Sequence, residues 1–482
     1  MTLELSPSEL AVCHAISDLL GTKRASISPS TSIYQLGIDS IGAIQLAAKL
    51  RQSLSTNITT AAILQGSTVQ NIARVAGQLA STPRTVTTFD VHNFSVQHLG
   101  PVCQAHALAN NTVENVWPCT PVQMGMISRF VADGAAYVNH ISFAMSKQWS
   151  RDSVLGGWQE IIRRTEMLRT GFVSLEGADT AYAMVVHRVQ NDKLSRNVEH
   201  SHSDFDLLAW RAENVKRFHD DLLQPPWAAA IQMVDDRPMM HISIFHALYD
   251  ATSLTIILDA LESQLHNRPI EQSSGVSGLL PTILESALYS DEERENFWKT
   301  ALEGATHNAF PDLNPLHVSK TETQKVEHTI DVDLATIEAS CRAHEFSMQA
   351  VGQSAWARVL SAYLGEAAVI IGIVLSGRDA TVKAGQVAFP CLVTLPFAAS
   401  LETCTNQELV QAAMSWNASV RSHQFTRLSD IKRWTSMNVM FDTIFAYQKF
   451  PSRGGQTKLE VIDEVASDEV WPVNWDFQHQ QS

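Results

Sequence analysis

Two stretches of the 482-residue sequence place reactive side chains where a fold could use them. In the first, Phe245-His246-Ala247-Leu248-Tyr249-Asp250-Ala251-Thr252-Ser253 follows the apolar run Met239–Phe245 and precedes a helix-like stretch from Ser253 to Leu265. An imidazole at a strand end is held rigidly by the sheet and exposed by the turn. In its neutral form it can take a proton from an attacking amine or hydroxyl. An aspartate four residues on commonly fixes such a turn, and Ser253 can cap the following helix or face a tunnel. With eighteen histidines in the chain, a chance strand-end histidine reads equally from these residues alone. In the second stretch, Leu36-Gly37-Ile38-Asp39-Ser40-Ile41 passes from a loop into an amphipathic helix. Gly37 permits a tight turn and Ser40 lies at the capping position. The free amides and positive dipole end there favour an attached phosphate. A plain N-cap explains Ser40 as well.

The elements that must position these residues divide unevenly. Ser6-Pro7-Ser8-Glu9 is a helix start ahead of Leu10, Cys13, Ile16 and Leu19, and further helices run from Ser40 and from Val69 to Leu79. Residues 1–82 carry a balance of +1, so the remainder holds −16 of the net −15. From Ser81 the chain mixes Thr, Asn, Ser, Pro and His without a sustained period and reads as a linker. Beyond it, strand-like runs (140–145, 181–189, 239–245, 368–375, 437–447) interleave with helix-like ones (154–164, 253–265, 291–302, 348–364), predicting an α/β body of two lobes. With 45% hydrophobic residues the chain can bury a large interior, and its acidic balance argues against coating a nucleic acid. The longest apolar run, Ala367–Leu375, is too short for a bilayer helix, and Glu4 and Glu9 stand where a signal peptide carries positive charge. Six scattered cysteines without a C-x-x-C pair suggest neither a disulfide framework nor a zinc site, and point to a reducing, cytoplasmic setting. His200 and His202 lack convincing partners for a metal.

The wider strings resemble known families. Leu36-Gly37-Ile38-Asp39-Ser40-Ile41, with a helix before it and Ile63-Leu64-Gln65, Thr68 and Ile72 after it, is similar to the phosphopantetheine-attachment motif of nonribosomal peptide synthetase carrier domains. The strand followed by His246-Ala247-Leu248-Tyr249-Asp250-x-x-Ser253 resembles the signature of condensation domains, relatives of chloramphenicol acetyltransferase. Other blocks of that family occur in order: Trp117–Met126, Arg164–Phe172, Phe297-Trp298-Lys299, Ile371–Asp379, Val393-Thr394-Leu395-Pro396, Leu428–Ile431 and Phe441–Phe445.

The resemblance implies a small all-α four-helix carrier (1–80), a linker (81–114) and a two-lobed α/β condensation domain (115–482), divided near 285/286. The order is most like fungal synthetases, especially ferrichrome-type siderophore synthetase tails. It implies 4′-phosphopantetheine on Ser40, attached by a phosphopantetheinyl transferase. It makes His246 the catalytic or substrate-orienting histidine, and Asp250 paired with Arg378 the brace of its loop. A surface Arg378 beside Asp379 is the plainer alternative. The implied reaction condenses a carrier-bound aminoacyl or peptidyl thioester with a second carrier-bound substrate, giving an amide or ester. Partners would be other synthetase modules, with no nucleic acid and no membrane.

Departures from the family pattern temper this. Phe245 replaces the first histidine, Thr165 replaces another, Ala251 stands for a glycine, and Phe389 stands before Pro390-Cys391 where a glycine is usual. The chain stops soon after Trp471–Phe477 and is expected to be truncated in its second lobe, with no adenylation domain ahead of the carrier. An inert carrier-binding fragment, or an acyltransferase using a soluble thioester donor, are the rival readings.

Overall fold

The computed structural model describes residues 5–38, 40–54, 56, 58–80, 89–176, 180–189, 198–200, 205–270, 275–288, 292–309, 326, 328–378, 384–402, 404–437, 440–448, 460–465 and 473–474. Four helices form the N-terminal unit: α1 (Pro7–Leu20), α2 (Ser40–Leu54), α3 (Thr60–Gly66) and α4 (Val69–Ala80). Ser6 accepts from the Glu9 amide while Glu9 accepts from the Ser6 amide, Pro7 fills the first turn, and Gly21 ends α1 at φ 64°. Val12, Ile16, Leu46, Leu50, Ile63 and Ile72 face inward at helical spacing and share one core. The bundle does not close that core alone. Ala418 and Met414, from a helix far along the chain, pack into it.

A helix, α5 (Val91–Ala105), stands inside the segment 81–114 that composition marks as a linker. Asp90 caps it, and Val102 and Cys103 pack with Val113, Val116 and Val185. Gly100-Pro101 breaks the pattern in sequence, and packing on a sheet supplies stability that intrinsic propensity does not.

The body begins with β1 (Val113–Pro118), α6 (Pro121–Asp133), β2 (Val138–Ala144), α7 (Arg151–Arg164), β3 (Thr170–Ser174), β4 (Tyr182–His187) and β5 (Val198–His200). It continues through α8 (Leu207–Asp220), β6 (Trp227–Val234), β7 (Arg237–Phe245), α9 (Ala251–Leu265) and α10 (Leu280–Leu288). The second half holds α11 (Glu292–Ala301), α12 (Leu334–His344), α13 (Met348–Leu364), β8 (Ala368–Leu375), β9 (Val393–Ser400), α14 (Asn406–Ser419), α15 (Leu428–Thr435) and β10 (Ile444–Ala446). Two short strands, β11 (Glu460–Val465) and β12 (Val473–Asn474), complete the described chain.

Three sheets result, ordered β1-β4-β3, β11-β2-β7-β6-β5 and β12-β10-β8-β9. In the five-stranded sheet β7 is central, with Phe245 opposite Val138 on one side and Ile244 opposite Trp227 on the other. Interior strands of this kind hold their ends in register, so the residue after Phe245 leaves the sheet at a defined point. In the second-lobe sheet β8 pairs antiparallel with β9 and parallel with β10. One element departs from the expected division of 115–285 and 286–482 into lobes. β11, from the second half of the sequence, adds antiparallel to the edge of β2 in the first-lobe sheet. An edge strand offers unpaired amides and carbonyls to any passing segment, and side-chain alternation in 460–465 does not specify which sheet receives it. Of the run 437–447 expected as a strand, only Ile444–Ala446 is extended into a ladder among the described residues. Among the described residues no helix is long and apolar enough to cross a membrane.

Candidate active site

His246 follows the last residue of β7 and opens a one-turn 3-10 segment, His246–Leu248. Its amide donates to the carbonyl of Tyr137, a residue held at φ 66° where the chain enters β2. Its Nδ1 lies 2.8 Å from the backbone oxygen of Tyr249. A carbonyl oxygen only accepts, so Nδ1 carries the proton and Nε2 of the neutral ring presents its lone pair. The Tyr249 ring stacks on the imidazole at 4.9 Å between centroids. The Tyr249 hydroxyl is in turn held by Asn139 Nδ2 at 2.8 Å. Gln123, fully buried in the first turn of α6, donates from Nε2 to the Ala247 carbonyl at 3.0 Å. Tyr249 therefore fixes both ring tautomer and ring plane, and Gln123 fixes the loop.

The loop then ties the lobes. Asp250 is the N-cap of α9, accepting from the Ser253 amide at 2.7 Å, and Ser253 completes a capping box. Ser253 is thus not the cap, and at 0% exposure it lines no tunnel: its hydroxyl sits between Asp250 Oδ1 and the Phe389 carbonyl. Across the lobe boundary, Arg378 Nη2 donates to Asp250 Oδ1 at 2.6 Å. The same guanidinium donates to the carbonyls of Ala384, Val387 and Phe389. The Cys391 amide donates to the other carboxylate oxygen at 2.9 Å. Both charged side chains are about 95% buried, which removes the surface reading of Arg378. Asp379 lies outside the described residues. Gly377 makes the approach feasible: at φ 63°, a Cβ there would stand 1.8 Å from the Cys391 carbonyl oxygen.

The departures noted in sequence find physical places. Phe245 is fully buried, packing its ring 4.8 Å from Phe130 and 6.1 Å edge-on to Phe172. An aromatic hydrocarbon suits that pocket, and no polar partner is asked of it. Ala251 begins α9 with an ordinary negative φ and an exposed side chain, so the alanine carries no backbone strain. Phe389 is buried and serves through its carbonyl.

Ser40 opens α2, directly after the turn in which Gly37 sits at φ 78°. Its side chain and Asp39 lie outside the described residues, as do His202 and the Trp475–Phe477 end. The structure brings His246, Asp250 and Arg378 together. It places the Ser40 loop elsewhere, against α12 and the start of α13. There Gln35 Nε2 donates to Glu345 Oε1 at 2.8 Å. A small cleft of about 70 Å³ opens between Tyr34, Gly37 and Ile38 on one side and Arg342, Phe346, Ser347, Met348 and Tyr447 on the other. Burial pushes the Tyr34 hydroxyl up to about 12, with the Arg421 charge pulling the other way. Sequence reasoning assigned no role to Gln123, Asn139, Tyr137 or Arg342. Thr120 and Gln123 form a capping box at the start of α6, and nothing local in the sequence announces that this glutamine reaches the histidine loop.

Comparison with known proteins fits this geometry. The condensation domain family matches residues 113–477, and the phosphopantetheine attachment site family matches residues 11–76. The chain is 33% identical over 474 residues to the nonribosomal peptide synthetase sidC of Arthroderma benhamiae, covering 97% of this chain and 9% of that protein. It is 26% identical over 444 residues to the hydroxamate-type ferrichrome siderophore peptide synthetase of Schizosaccharomyces pombe, covering 89% of this chain and 9% of that one. The chain thus spans about a tenth of the length of these relatives. In fold it resembles the first condensation domain of the calcium-dependent antibiotic synthetase, solved with a substrate analogue, at TM-score 0.52 and 13% identity over 69% of this chain and 81% of that one. The attachment-site match implies covalently held 4′-phosphopantetheine. The loop suits such a group: glycine leaves space at position 37, and the Arg342 guanidinium comes within 3.8 Å of where a Cβ would stand, offering charge to a phosphodiester. The chain belongs to the condensation-domain family, whose chemistry is peptide-bond-forming acyl transfer, and it carries a phosphopantetheine-attachment domain ahead of that domain.

Proposed function

We propose that this chain condenses an aminoacyl or peptidyl group, carried on Ser40, with the amine or hydroxyl of a second carrier-bound substrate, as part of a nonribosomal peptide synthetase. The single observation that carries the reading is His246, with Nδ1 bonded to the Tyr249 carbonyl and Nε2 left as the acceptor, on a loop tied across two lobes. When attached, 4′-phosphopantetheine supplies a thiol on a flexible arm, which holds the acyl group as a thioester. The protein's own part is to place the ring of His246, to accept a proton at Nε2 from the attacking nucleophile and return it to the sulfur that leaves as the new bond forms and the thioester C–S bond breaks, and to keep the lobes in register. Placement of two tethered reactants supplies most of the acceleration, and proton transfer adds roughly 10²–10⁴-fold. Asp250 and Arg378 act as braces; both are buried and bonded to each other and to the backbone of 384–391, which supports that role over contact with substrate. The name of the Schizosaccharomyces pombe relative favours siderophore assembly. Adenylation, the acceptor carrier and the phosphopantetheinyl transferase come from other modules or proteins, and free cysteines throughout favour a cytoplasmic setting.

The test uses the full chain loaded by a phosphopantetheinyl transferase, with an aminoacylated arm and an amine on a second carrier. His246→Ala is expected to lower product formation by about 10²–10⁴-fold. Equal rates for both forms overturn the mechanism and leave a carrier-binding role. Ser40→Ala is expected to abolish loading and turnover; turnover that survives it identifies a soluble thioester donor instead.

A further inference from the structure

The N-terminal bundle is not a free unit, and the way it is seated points at a second binding site. Its core is completed by Ala418 and Met414 of α14, Gln35 is hydrogen-bonded to Glu345, and the turn before Ser40 lies against Arg342. Arg342 Cδ comes within 3.4 Å, and Nη1 within 3.8 Å, of the Cβ that Gly37 lacks. Its ion pair with Glu338 is long, 3.7 Å, and its side chain is 42% exposed. An exposed pair of that length holds a guanidinium weakly. A phosphodiester emerging from Ser40 offers a stronger, charge-assisted and bidentate partner three residues along the chain from Gly37.

The cleft beside Arg342 also has a direction. Its far wall includes Met348 at the start of α13 and Tyr447 just past the end of β10. β10 runs parallel to β8, with Phe445 opposite Ile373, so Tyr447 lies at the same end of the sheet as Leu375. From that end Gly377 and Arg378 reach across to Asp250 on the His246 loop. A group entering at Gly37 and Arg342 thus meets the end of the sheet from which Arg378 reaches to Asp250.

We propose that Arg342 and the cleft between Ile38 and Tyr447 are the receiving site for the phosphodiester and the first part of the Ser40 arm, with Arg342 as its anion-binding residue. This rests on the reading of Ser40 as the attachment point. Glu338 is its resting counter-ion.

The experiment compares the full chain with Arg342→Ala and Arg342→Lys. Intact mass after treatment with coenzyme A and a phosphopantetheinyl transferase is expected to show equal loading in all three. The ³¹P resonance of the loaded phosphodiester is then expected to move between wild type and Arg342→Ala, with Arg342→Lys between them. Turnover from the chain's own arm is expected to fall about 10–100-fold in Arg342→Ala, the worth of a hydrogen bond to a charged group. A soluble aminoacyl thioester that carries no phosphate gives the guanidinium nothing to bind, so its turnover should fall less than that from the arm. Full loading with an identical ³¹P shift and unaltered turnover overturns the assignment of Arg342. A wild-type chain that does not load, beside a control carrier that does, overturns both this assignment and that of Ser40.

Discussion

The tie between Asp250 and Arg378 makes a quantitative prediction. In Arg378→Ala, Asp250 would keep the Ser253 amide at 2.7 Å, the Ser253 hydroxyl at 2.6 Å and the Cys391 amide at 2.9 Å. The carboxylate would not be stripped of donors, but its countercharge would be gone in a site where both groups are about 95% buried. The carbonyls of Ala384, Val387 and Phe389 would lose a donor at the same time. Removing one member of such a pair costs about 3–5 kcal/mol. The retained donors favour the lower end. About 3 kcal/mol corresponds to roughly two decades in the equilibrium between closed and parted lobes.

Hydrogen exchange read by mass spectrometry on peptides spanning 246–253 and 384–391 measures that equilibrium directly. Protection there should fall by about two decades in Arg378→Ala, while peptides of α2 and α4 keep theirs. Arg378→Lys should recover only part, because an ammonium cannot span carbonyls and carboxylate in one plane as the guanidinium does. Asp250→Asn combined with Arg378→Ala closes a double-mutant cycle, with a coupling expected above about 2 kcal/mol. Protection unchanged within about threefold, or a coupling below about 0.5 kcal/mol, would refute the view that this pair joins the lobes.

Further expectations concern single side chains. Gln123→Leu keeps the volume of a buried side chain but leaves the Ala247 carbonyl without its donor. It should cost about 1–3 kcal/mol in unfolding free energy and lower kcat more than it alters KM, because it loosens the histidine loop without touching substrate. Glu166 titrates above its ordinary 4.5, chiefly because it is buried; Arg169 and the Val276 amide pull the other way. A carboxyl whose folded pKa is raised favours the folded state below the unfolded value, and that contribution is lost as pH rises through the folded one. Glu166→Gln, which can still accept from Val276, should therefore gain on wild type in thermal midpoint as pH rises from about 4 to about 7. A constant difference across that range contradicts the assigned cause.

How much of this was legible from sequence depends on the range of the interaction. Helix starts written in neighbouring residues, such as Ser6-Pro7-x-Glu9 and Thr120-Pro121-x-Gln123, appear where the capping chemistry puts them. The strand ending at Phe245 was legible because five of the seven residues from Met239 to Phe245 are apolar and a histidine follows them. The Asp250–Arg378 contact was expected only through family resemblance, since 128 residues separate its members and no periodicity links them. Strands β3 and β6 lack the alternation that marks a strand because successive residues in them are buried, and in β1 the pair Glu114-Asn115 interrupts the apolar residues. The same holds for α5, whose pattern is broken by Gly100-Pro101 and whose stability comes from the sheet it covers. The cap at Asp250 instead of Ser253 could not be read because both residues are good N-caps at the head of one apolar run.

The placement of β11 supplies the last prediction, because it extends the brace around His246 beyond the loop itself. β11 pairs with β2 from Glu460 opposite Ala144 to Val465 opposite His140, on the edge that β7 leaves open. β2 carries Asn139, whose amide holds the Tyr249 hydroxyl, and the Tyr249 ring stacks 4.9 Å from the imidazole. A segment from the second half of the chain therefore steadies the strand that steadies the ring. In an antiparallel ladder one of any two successive amides faces the neighbouring strand. Prolines at both Asp463 and Glu464 thus remove at least one ladder donor, costing about 1 kcal/mol net together with steric disruption. Exchange should quicken at whichever of the Ile141 and Ser142 amides faces β11, turnover should fall with little change in KM, and the exposed β2 edge should raise the tendency to aggregate. If exchange in β2 quickens while turnover does not move, Asn139 and Tyr249 hold the ring without help from the strap. If neither changes, β11 does not cover that edge in solution.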